Sequence, residues 1–173
     1  MDKIVEVDFS DNSIREVTKD EAHRNGIMHR AFSVILYDGR KILLQQRAQD
    51  KYHCGGLWTN TCCSHPRWNE DLESAVCRRL AEEMGIEAET EELCSFTYYY
   101  RFDNGMTEFE YDHVFVGEYK GDFSLNSQEV SCAKWIDIDE LAEWMKNSPE
   151  DFTPWFIIIM PRIMEHIKEK QSL

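Results

Sequence analysis

The chain has 173 residues, 42% of them hydrophobic, which is typical of one globular domain with its own core. Its 19 Lys and Arg against 33 Asp and Glu give a formal net charge of −14, which disfavours nucleic acid and anionic membranes as partners unless cations cluster locally. No signal-peptide pattern is present, and the longest apolar run, residues 155–160, is too short to cross a bilayer. We therefore expect residues 1–173 to form a single cytoplasmic domain that is a monomer or a weak dimer.

The six cysteines raise the alternative of a disulfide framework. Nothing in the sequence suggests secretion, and the vicinal Cys62 and Cys63 are poorly placed to pair with each other. We therefore expect reduced thiols.

The N-terminal part of the chain predicts two hairpins around a short helix. Alternating apolar and polar residues predict four strands, over residues 4–8, 13–17, 29–37 and 41–47. Thr18 is a suitable N-cap for a helix over residues 19–24, which Asn25-Gly26 ends. Between the last two strands, Asp38-Gly39 is a strong signal for a two-residue hairpin.

The central stretch, residues 58–86, joins the polar segment W-T-N-T-C-C-S-H-P to an amphipathic helix. Apolar side chains recur at three- and four-residue spacing and predict one buried helix face, formed by Leu72, Ala75, Val76 and Leu80. Asn69 is the predicted N-cap and Gly85 the predicted C-cap. A basic pair, Arg78-Arg79, precedes the acidic pair Glu82-Glu83, so the polar face is expected to line a cleft.

Beyond Gly85 the pattern returns to strands, predicted over residues 93–102, 107–119 and 131–136, with Asp103-Asn104-Gly105 as a hairpin turn between the first two. A helix over residues 138–146 follows. The last helix begins at Thr153-Pro154, and Pro161 is expected to kink it. Hairpins around one central helix predict an α/β fold of the α+β kind, in which helices cover a curved mixed sheet.

Histidines and carboxylates from separate segments form a candidate metal site. Glu108 and Glu110 share one strand face with Asp112, where they repel each other unless water or a cation intervenes. Three imidazoles and two carboxylates suit one Mn²⁺, Mg²⁺ or Zn²⁺ ion with a position left open, the five being His23, His29, His65, Glu108 and Glu110. Each histidine alone is more often a core or surface residue, and the strand alone fits a solvated face equally well.

A set of cations lies in the same half of the sequence: Lys19, Arg47, Lys51, Arg78 and Arg79. Arginines fork onto phosphate oxygens and lysines act as point charges, so this set suggests a diphosphate ligand in an otherwise acidic protein. Glu83 beside such a pocket would hold a Mg²⁺ ion that bridges to the phosphates. The alternative is a set of surface cations and an exposed acid at the end of a helix.

Cys63 is a candidate acid, base or nucleophile because it lies two residues before His65. The alternative is a small buried hydrophobe, the commonest role of a free cysteine. Tyr98 and Tyr100 share a strand face and could reach the cleft together. Trp155 is either a core residue or part of an aromatic wall that stabilises a carbocation.

Taken together, these residues resemble type 1 isopentenyl diphosphate isomerases of the Nudix superfamily over roughly residues 19–155. The most specific pieces, in order, are W-T-N-T-C-C-S-H-P at 58–66, R-R-L-A-E-E-M-G-I at 78–86, E-F-E at 108–110 and F-T-P-W at 152–155. The resemblance implies a Nudix-like mixed β-sheet sandwiched between helices.

The Nudix hydrolase box, G-x5-E-x7-R-E-U-x-E-E-x-G-U with U a bulky aliphatic residue, is kept only in part. The matching positions are Glu70, Arg78, Leu80, Glu82, Glu83, Gly85 and Ile86. Ser64 replaces the first glycine, and Arg79 replaces the glutamate after the arginine. A lost carboxylate and a gained cation argue against hydrolysis of a diphosphate and for binding it intact.

The resemblance also implies a role for each candidate. The three histidines, Glu108 and Glu110 look like ligands of one divalent metal, and Glu83 like a ligand of a Mg²⁺ ion on the substrate diphosphate. The diphosphate contacts implied are Lys19, Arg47, Lys51 and Arg79.

For the chemistry, the resemblance implies that Cys63 and Glu110 act on opposite faces of the isoprenoid, one giving and one removing a proton. Tyr98 would assist protonation, and Trp155 would stabilise a tertiary carbocation. The implied reaction is the isomerisation of isopentenyl diphosphate to dimethylallyl diphosphate, without a redox cofactor. The alternatives are a Nudix hydrolase of a nucleoside diphosphate derivative and a non-catalytic domain with a structural metal.

Overall fold

The computed structural model describes residues 3–51 and 53–171, which form one mixed sheet of nine strands with helices on both faces. The strands are β1 Lys3–Val7, β2 Ser13–Thr18, β3 His29–Asp38, β4 Lys41–Arg47, β5 Trp58–Thr59, β6 Cys62–Ser64, β7 Glu91–Arg101, β8 Thr107–Glu118 and β9 Val130–Asp137. The α-helices are α1 Lys19–Asn25, α2 Leu72–Met84, α3 Ile138–Asn147 and α4 Pro154–Gln171. The predicted α+β class is confirmed.

Local signals predicted most element ends correctly. The Thr18 side chain accepts a hydrogen bond from the Glu21 N–H at the start of α1, and Gly85 ends α2 with φ 63°. The predicted cap Asn69 was wrong, because α2 begins after Asp71, whose side chain accepts from the Ser74 N–H. The hairpin turn after β3 is also shifted by one residue, since Asp38 still pairs with Lys41.

β3 is the central strand of the sheet. One edge of β3 pairs in parallel with β8, from His29 opposite Glu110 to Tyr37 opposite Glu118. Its other edge is divided among β1, β6 and β4. β3 and β4 pair only where they leave their hairpin, and β6 then takes the place beside β3 while β5 pairs with β4. This separation of two adjacent strands opens the sheet where the site lies.

The segment between β5 and β6 bridges the separated strands with buried polar side chains. The Thr61 hydroxyl donates to the Leu43 carbonyl at 2.6 Å and accepts from the Leu36 N–H at 2.9 Å. The Asn60 amide donates to the Cys62 carbonyl at 2.8 Å. Backbone groups that the broken ladder leaves unpaired are thereby satisfied, which explains why polar residues occupy the interior here.

Two hydrophobic clusters lie on opposite faces of the sheet. Ile35 packs with α3 and α4, whereas its neighbours Val34 and Leu36 pack with α2. This alternation is what a strand covered on both faces requires. α4 continues through Pro161 to Gln171. In the described part of the chain, no helix combines the length and apolar character needed to cross a membrane, and all six cysteines are free thiols, as predicted.

Candidate active site and metal centre

The structure brings the five predicted metal ligands together. Their ligand atoms all lie within 4.8 Å of one another, and the side chains come from α1, β3, the segment after β6, and β8: His23, His29, His65, Glu108 and Glu110. The parallel register of β3 and β8 sets His29 opposite Glu110.

The closest pairs in this cluster join an imidazole nitrogen to a carboxylate oxygen. His23 Nε2 lies 2.9 Å from Glu108 Oε2, His65 Nε2 lies 2.9 Å from Glu110 Oε1, and His29 Nε2 lies 3.5 Å from Glu110 Oε1. A solvated outer face, the alternative for this strand, is therefore wrong, because Glu108 and Glu110 are both buried.

Backbone contacts fix the tautomers of two of these histidines. Nδ1 of His23 lies 2.6 Å from the Lys19 carbonyl, and Nδ1 of His29 lies 2.8 Å from the Ile27 carbonyl. A carbonyl oxygen only accepts, so Nδ1 carries the proton and a neutral ring presents a lone pair at Nε2. His29 Nε2 and Glu108 Oε2 are buried and make no hydrogen bond within the described residues. Acceptors that converge without a donor fit a cation between them.

Burial and neighbouring charges favour the metal-binding protonation states of His65 and Glu110. At His29, burial opposes the charged form, but the contacts with Glu110 and Glu108 outweigh it and raise the pKa. Burial lowers the pKa of His65 to about 3, and the charge of Lys19 lowers it further in the same direction. Burial raises the pKa of Glu110, as does the charge of Glu108, but the contacts with His29 and His65 outweigh both and the pKa is lowered. A neutral imidazole beside a charged carboxylate is a suitable ligand set for a divalent cation.

Beside the cluster lies a small cavity of about 30 Å³ that the predicted catalytic residues line: Cys63, Tyr98, Glu110 and Trp155. Cys63 is on β6 and Glu110 on β8, the two strands that flank β3. The Tyr98 hydroxyl donates to Glu110 Oε2 at 2.6 Å. Trp155 donates its indole N–H to the Thr59 hydroxyl at 3.0 Å, which fixes the ring. The four side chains therefore face one common cavity.

Tyr100 does not line this cavity, contrary to the expectation that it would accompany Tyr98. It pairs with Glu108 near the end of β7, is 43% exposed and packs on Phe102 with ring centroids 4.9 Å apart. Sharing a strand face with Tyr98 therefore does not bring Tyr100 into the cavity, because this end of the sheet is open to solvent.

The Cys63 thiol is protonated in this state. Burial raises its pKa to about 12, although the nearby Arg47 charge opposes the rise. Glu83, Glu110 and Asp112 raise the pKa further through their negative charge. Neutralising these acids therefore favours the thiolate.

Cations line a second cleft, of about 240 Å³, which shares Lys19, Ser64 and His65 with the first cavity. The cations in its wall are Lys3, Lys19, Lys51, Arg67, Arg78 and Arg79. Three of the four predicted diphosphate contacts thus meet here. The fourth, Arg47, lines the smaller cavity instead, with its guanidinium 5.5 Å from the Trp155 ring centre and Nη1 3.9 Å from Cys63 Sγ.

Two acids accompany these cations. Glu129 contacts Lys51 and lies 3.4 Å from Arg79. No local pattern in the sequence predicts its presence here. Glu83 is only 4% exposed, accepts from Gln45 at 3.0 Å and contacts Arg79. It is therefore not the exposed helix-end acid of the alternative interpretation. Glu83 is also not among the five residues whose ligand atoms converge.

His53 is a buried site residue that sequence reasoning missed. It is 6% exposed, lines the smaller cavity and contacts Glu108 through Nε2. Its position in an irregular segment follows no periodic pattern, and Glu108 lies far along the chain. No local signal could therefore have paired the two.

Comparison with known proteins identifies the fold. A NUDIX domain model matches residues 27–156. The crystal structure of a Deinococcus radiodurans protein superposes with a TM-score of 0.77 at 16% identity, covering 92% of this chain and 98% of that one. A MutT NUDIX hydrolase from Burkholderia pseudomallei superposes with a TM-score of 0.63 at 23% identity, covering 78% and 96%.

Sequence comparison identifies the family within that fold. The chain is 45% identical over 176 residues to isopentenyl-diphosphate Delta-isomerase 2 of Photorhabdus laumondii, covering 100% of this chain and 99% of the relative. It is 44% identical over 158 residues to the isopentenyl-diphosphate Delta-isomerase of Serratia proteamaculans, covering 91% and 88%. The first of these likenesses covers the whole chain, including the histidine and glutamate cluster and the cavity beside it. The chain therefore belongs to the isopentenyl-diphosphate Delta-isomerase family of Nudix proteins.

Proposed function

We propose that the protein isomerises isopentenyl diphosphate to dimethylallyl diphosphate through a tertiary carbocation. The observation that carries the proposal is the cavity in which Cys63, Tyr98, Glu110 and Trp155 meet beside a cleft lined by cations. A cavity lined by acid, base and aromatic side chains beside a cationic cleft is what a reacting group joined to a diphosphate requires. The family to which the chain belongs supports the same reaction.

The buried cluster of three histidines, Glu108 and Glu110 fits one divalent cation, with Mn²⁺, Mg²⁺ and Zn²⁺ as candidates. When bound, the cation would offset the negative charge of Glu110 that opposes ionisation of Cys63. Glu83 would hold a Mg²⁺ ion that accompanies the substrate diphosphate. Since Glu83 contacts Arg79 in this structure, that contact would be exchanged for the diphosphate and its ion.

The proton balance assigns roles to the residues of the cavity. In the forward direction, the Tyr98–Glu110 pair adds a proton to the terminal carbon of the alkene, and the Cys63 thiolate removes an allylic proton from the carbon on the other side of the cation. One proton enters the substrate and one leaves it. One turnover therefore leaves a neutral thiol and a charged carboxylate. Before the next turnover, Cys63 must release its proton to solvent and Glu110 must take up a proton from solvent.

The cationic intermediate needs shelter from water and a surface that tolerates positive charge. The Trp155 ring is held by Thr59, and its face would stabilise the cation by about 1 to 2 kcal/mol when water is excluded.

The free thiols, with Cys63 among them, support the reducing cytoplasm as the compartment in which the reaction occurs.

A hydrolase of nucleoside diphosphate derivatives is not favoured by the arrangement of α2. Arg79 contacts Glu83 and lies 2.7 Å from Glu82, so the two acids that follow it in the box are both paired with the cation that replaces a glutamate. These carboxylates therefore offer less negative charge for metal ions that would activate water.

Nuclear magnetic resonance of the metal-loaded protein with isopentenyl diphosphate in deuterated water tests the proposal. The expected result is dimethylallyl diphosphate with deuterium in the new methyl group, because the proton added to the terminal carbon comes from solvent. Release of phosphate from the substrate, or a folded, metal-loaded protein that neither converts isopentenyl diphosphate nor exchanges its protons, would refute the proposal.

A further inference from the structure

His53 lies between β4 and β5, and its ring is held from three sides. The ring stacks on Phe102 with centroids 4.6 Å apart and an interplanar angle of 9°. Trp155 meets it edge to face, with centroids 6.0 Å apart. Nε2 contacts Oε1 of Glu108. These three contacts hold the ring in the orientation in which Nε2 faces the Glu108 carboxylate.

The contact with His53 divides the two oxygens of Glu108 between different partners. Oε2 faces the metal cluster, 2.9 Å from His23 Nε2 and 3.9 Å from His29 Nε2. Oε1 contacts His53, whose ring centroid lies 5.7 Å from that of His23. The terminal torsion of a glutamate is soft, so a fixed partner on one oxygen is what sets the direction of the other.

We propose that His53 is a positioning residue that holds Glu108 with Oε2 directed into the metal centre. The proposal rests on the metal site of the proposed function and adds a residue that does not itself contact the metal. Residues that contact a metal-binding carboxylate in this way orient it and change metal affinity about 10- to 100-fold when removed.

His53 also joins the metal centre to the substrate cavity. Its ring meets Trp155, the proposed cation-stabilising aromatic. Its backbone carbonyl accepts a hydrogen bond from Arg47 Nη2 at 3.3 Å. Loss of the imidazole therefore removes both the contact with Glu108 and the contact with Trp155. Variants that keep either the flat ring or the donor separate the two effects.

Three variants test the role by titration of metal-free protein with Mn²⁺, followed by electron paramagnetic resonance. His53→Phe keeps a flat ring against Phe102 and removes the donor, and we expect its affinity for Mn²⁺ to fall about 10- to 100-fold. His53→Gln returns an amide donor near the position of Nε2 and should recover most of that affinity. His166→Phe, on α4 beside Tyr37, is the matched control and should bind like the wild type.

Counting the imidazole nitrogens coupled to bound Mn²⁺, by pulsed paramagnetic resonance, separates a positioning role from a ligand. We expect three in the wild type and three in His53→Phe. Four in the wild type that fall to three in the variant would make His53 a ligand and overturn the proposal, as would wild-type affinity in His53→Phe. If that variant does not fold, His53→Asn, whose amide is too short to reach Glu108, should show the same loss. A folded wild type that binds no Mn²⁺ would instead refute the metal centre of the proposed function.

Discussion

Replacing Thr61 with valine should destabilise the protein out of proportion to the size of the change. Valine has nearly the same shape as threonine but lacks the hydroxyl that bridges β3 and β4. The substitution removes hydrogen bonds of 2.6 Å and 2.9 Å and leaves the Leu43 carbonyl and the Leu36 N–H without this partner, where both residues are fully buried.

The cost follows from the number of backbone groups left unsatisfied. Each buried donor or acceptor that loses its partner costs about 1 to 3 kcal/mol, and valine avoids the desolvation of one hydroxyl, so we expect a net loss of about 2 to 4 kcal/mol. Domains of this kind have unfolding free energies of about 5 to 15 kcal/mol, so the loss is a large fraction of the total.

Urea denaturation followed by circular dichroism measures the difference. Thr61→Ser keeps the hydroxyl and loses one methyl group, so it should cost only about 1 kcal/mol. Thr97→Val, on an exposed position of β7, should change the unfolding free energy by less than about 0.5 kcal/mol. Equal losses for Thr61→Val and Thr61→Ser would show that the hydroxyl does not hold the separated strands, and the explanation of the polar motif would fail.

Three further predictions concern the site. Cys63→Ala and Glu110→Gln should each nearly abolish isomerisation and change the unfolding free energy by no more than about 1 to 2 kcal/mol; a larger loss would assign the residues structural roles. Exhaustive chelation should inactivate the protein and added divalent metal should restore activity, whereas full activity after chelation would exclude the metal centre. In metal-free protein, stability should fall as the pH drops below about 6.5, by up to about 1.4 kcal/mol per pH unit, because unfolded His65 takes up a proton there while the folded residue, with its pKa of about 3, does not. Urea titrations at several pH values should show this slope reduced in His65→Gln.

The parts of the fold that local chemistry determines were predictable from the sequence. Period-two alternation located most strands, and Thr18 and Gly85 were recognised because a hydroxyl cap and a left-handed glycine act within one turn of the helix. Asn69 and Asp71 have similar side chains, and the backbone decides between them. Asn69 has φ 63°, whereas Asp71 has the extended conformation that an N-cap requires.

The site was predictable only where family resemblance supplied what spacing could not. Chemistry alone left open whether the histidines were ligands, because the parallel register that sets His29 opposite Glu110 depends on strands far apart in the chain. The same reason explains why His53 and Glu129 were missed. His53 contacts Glu108, and Glu129 contacts Arg79. In both cases the tertiary fold brings the two residues together.

Substitution of Arg79 best distinguishes a site that binds a diphosphate from one that cleaves it. It is surrounded by three acids, Glu82, Glu83 and Glu129. Burial alone would lower the pKa of its guanidinium, but the charges of Glu83 and Glu129 reverse this effect and raise the pKa, so the group stays charged.

Arg79→Gln should therefore weaken substrate binding without creating a hydrolase. Losing a charge-assisted contact of about 1.5 to 3 kcal/mol corresponds to a rise in KM of roughly 10- to 100-fold. kcat should change less, because the groups proposed to transfer protons lie in the neighbouring cavity. Arg162→Gln, on an exposed position of α4, should leave both constants unchanged. Steady-state isomerisation and phosphate-release assays on the same preparations decide the matter. An unchanged KM would remove Arg79 from the diphosphate site, and phosphate released by Arg79→Gln would show that the arginine alone had suppressed hydrolysis in this Nudix domain.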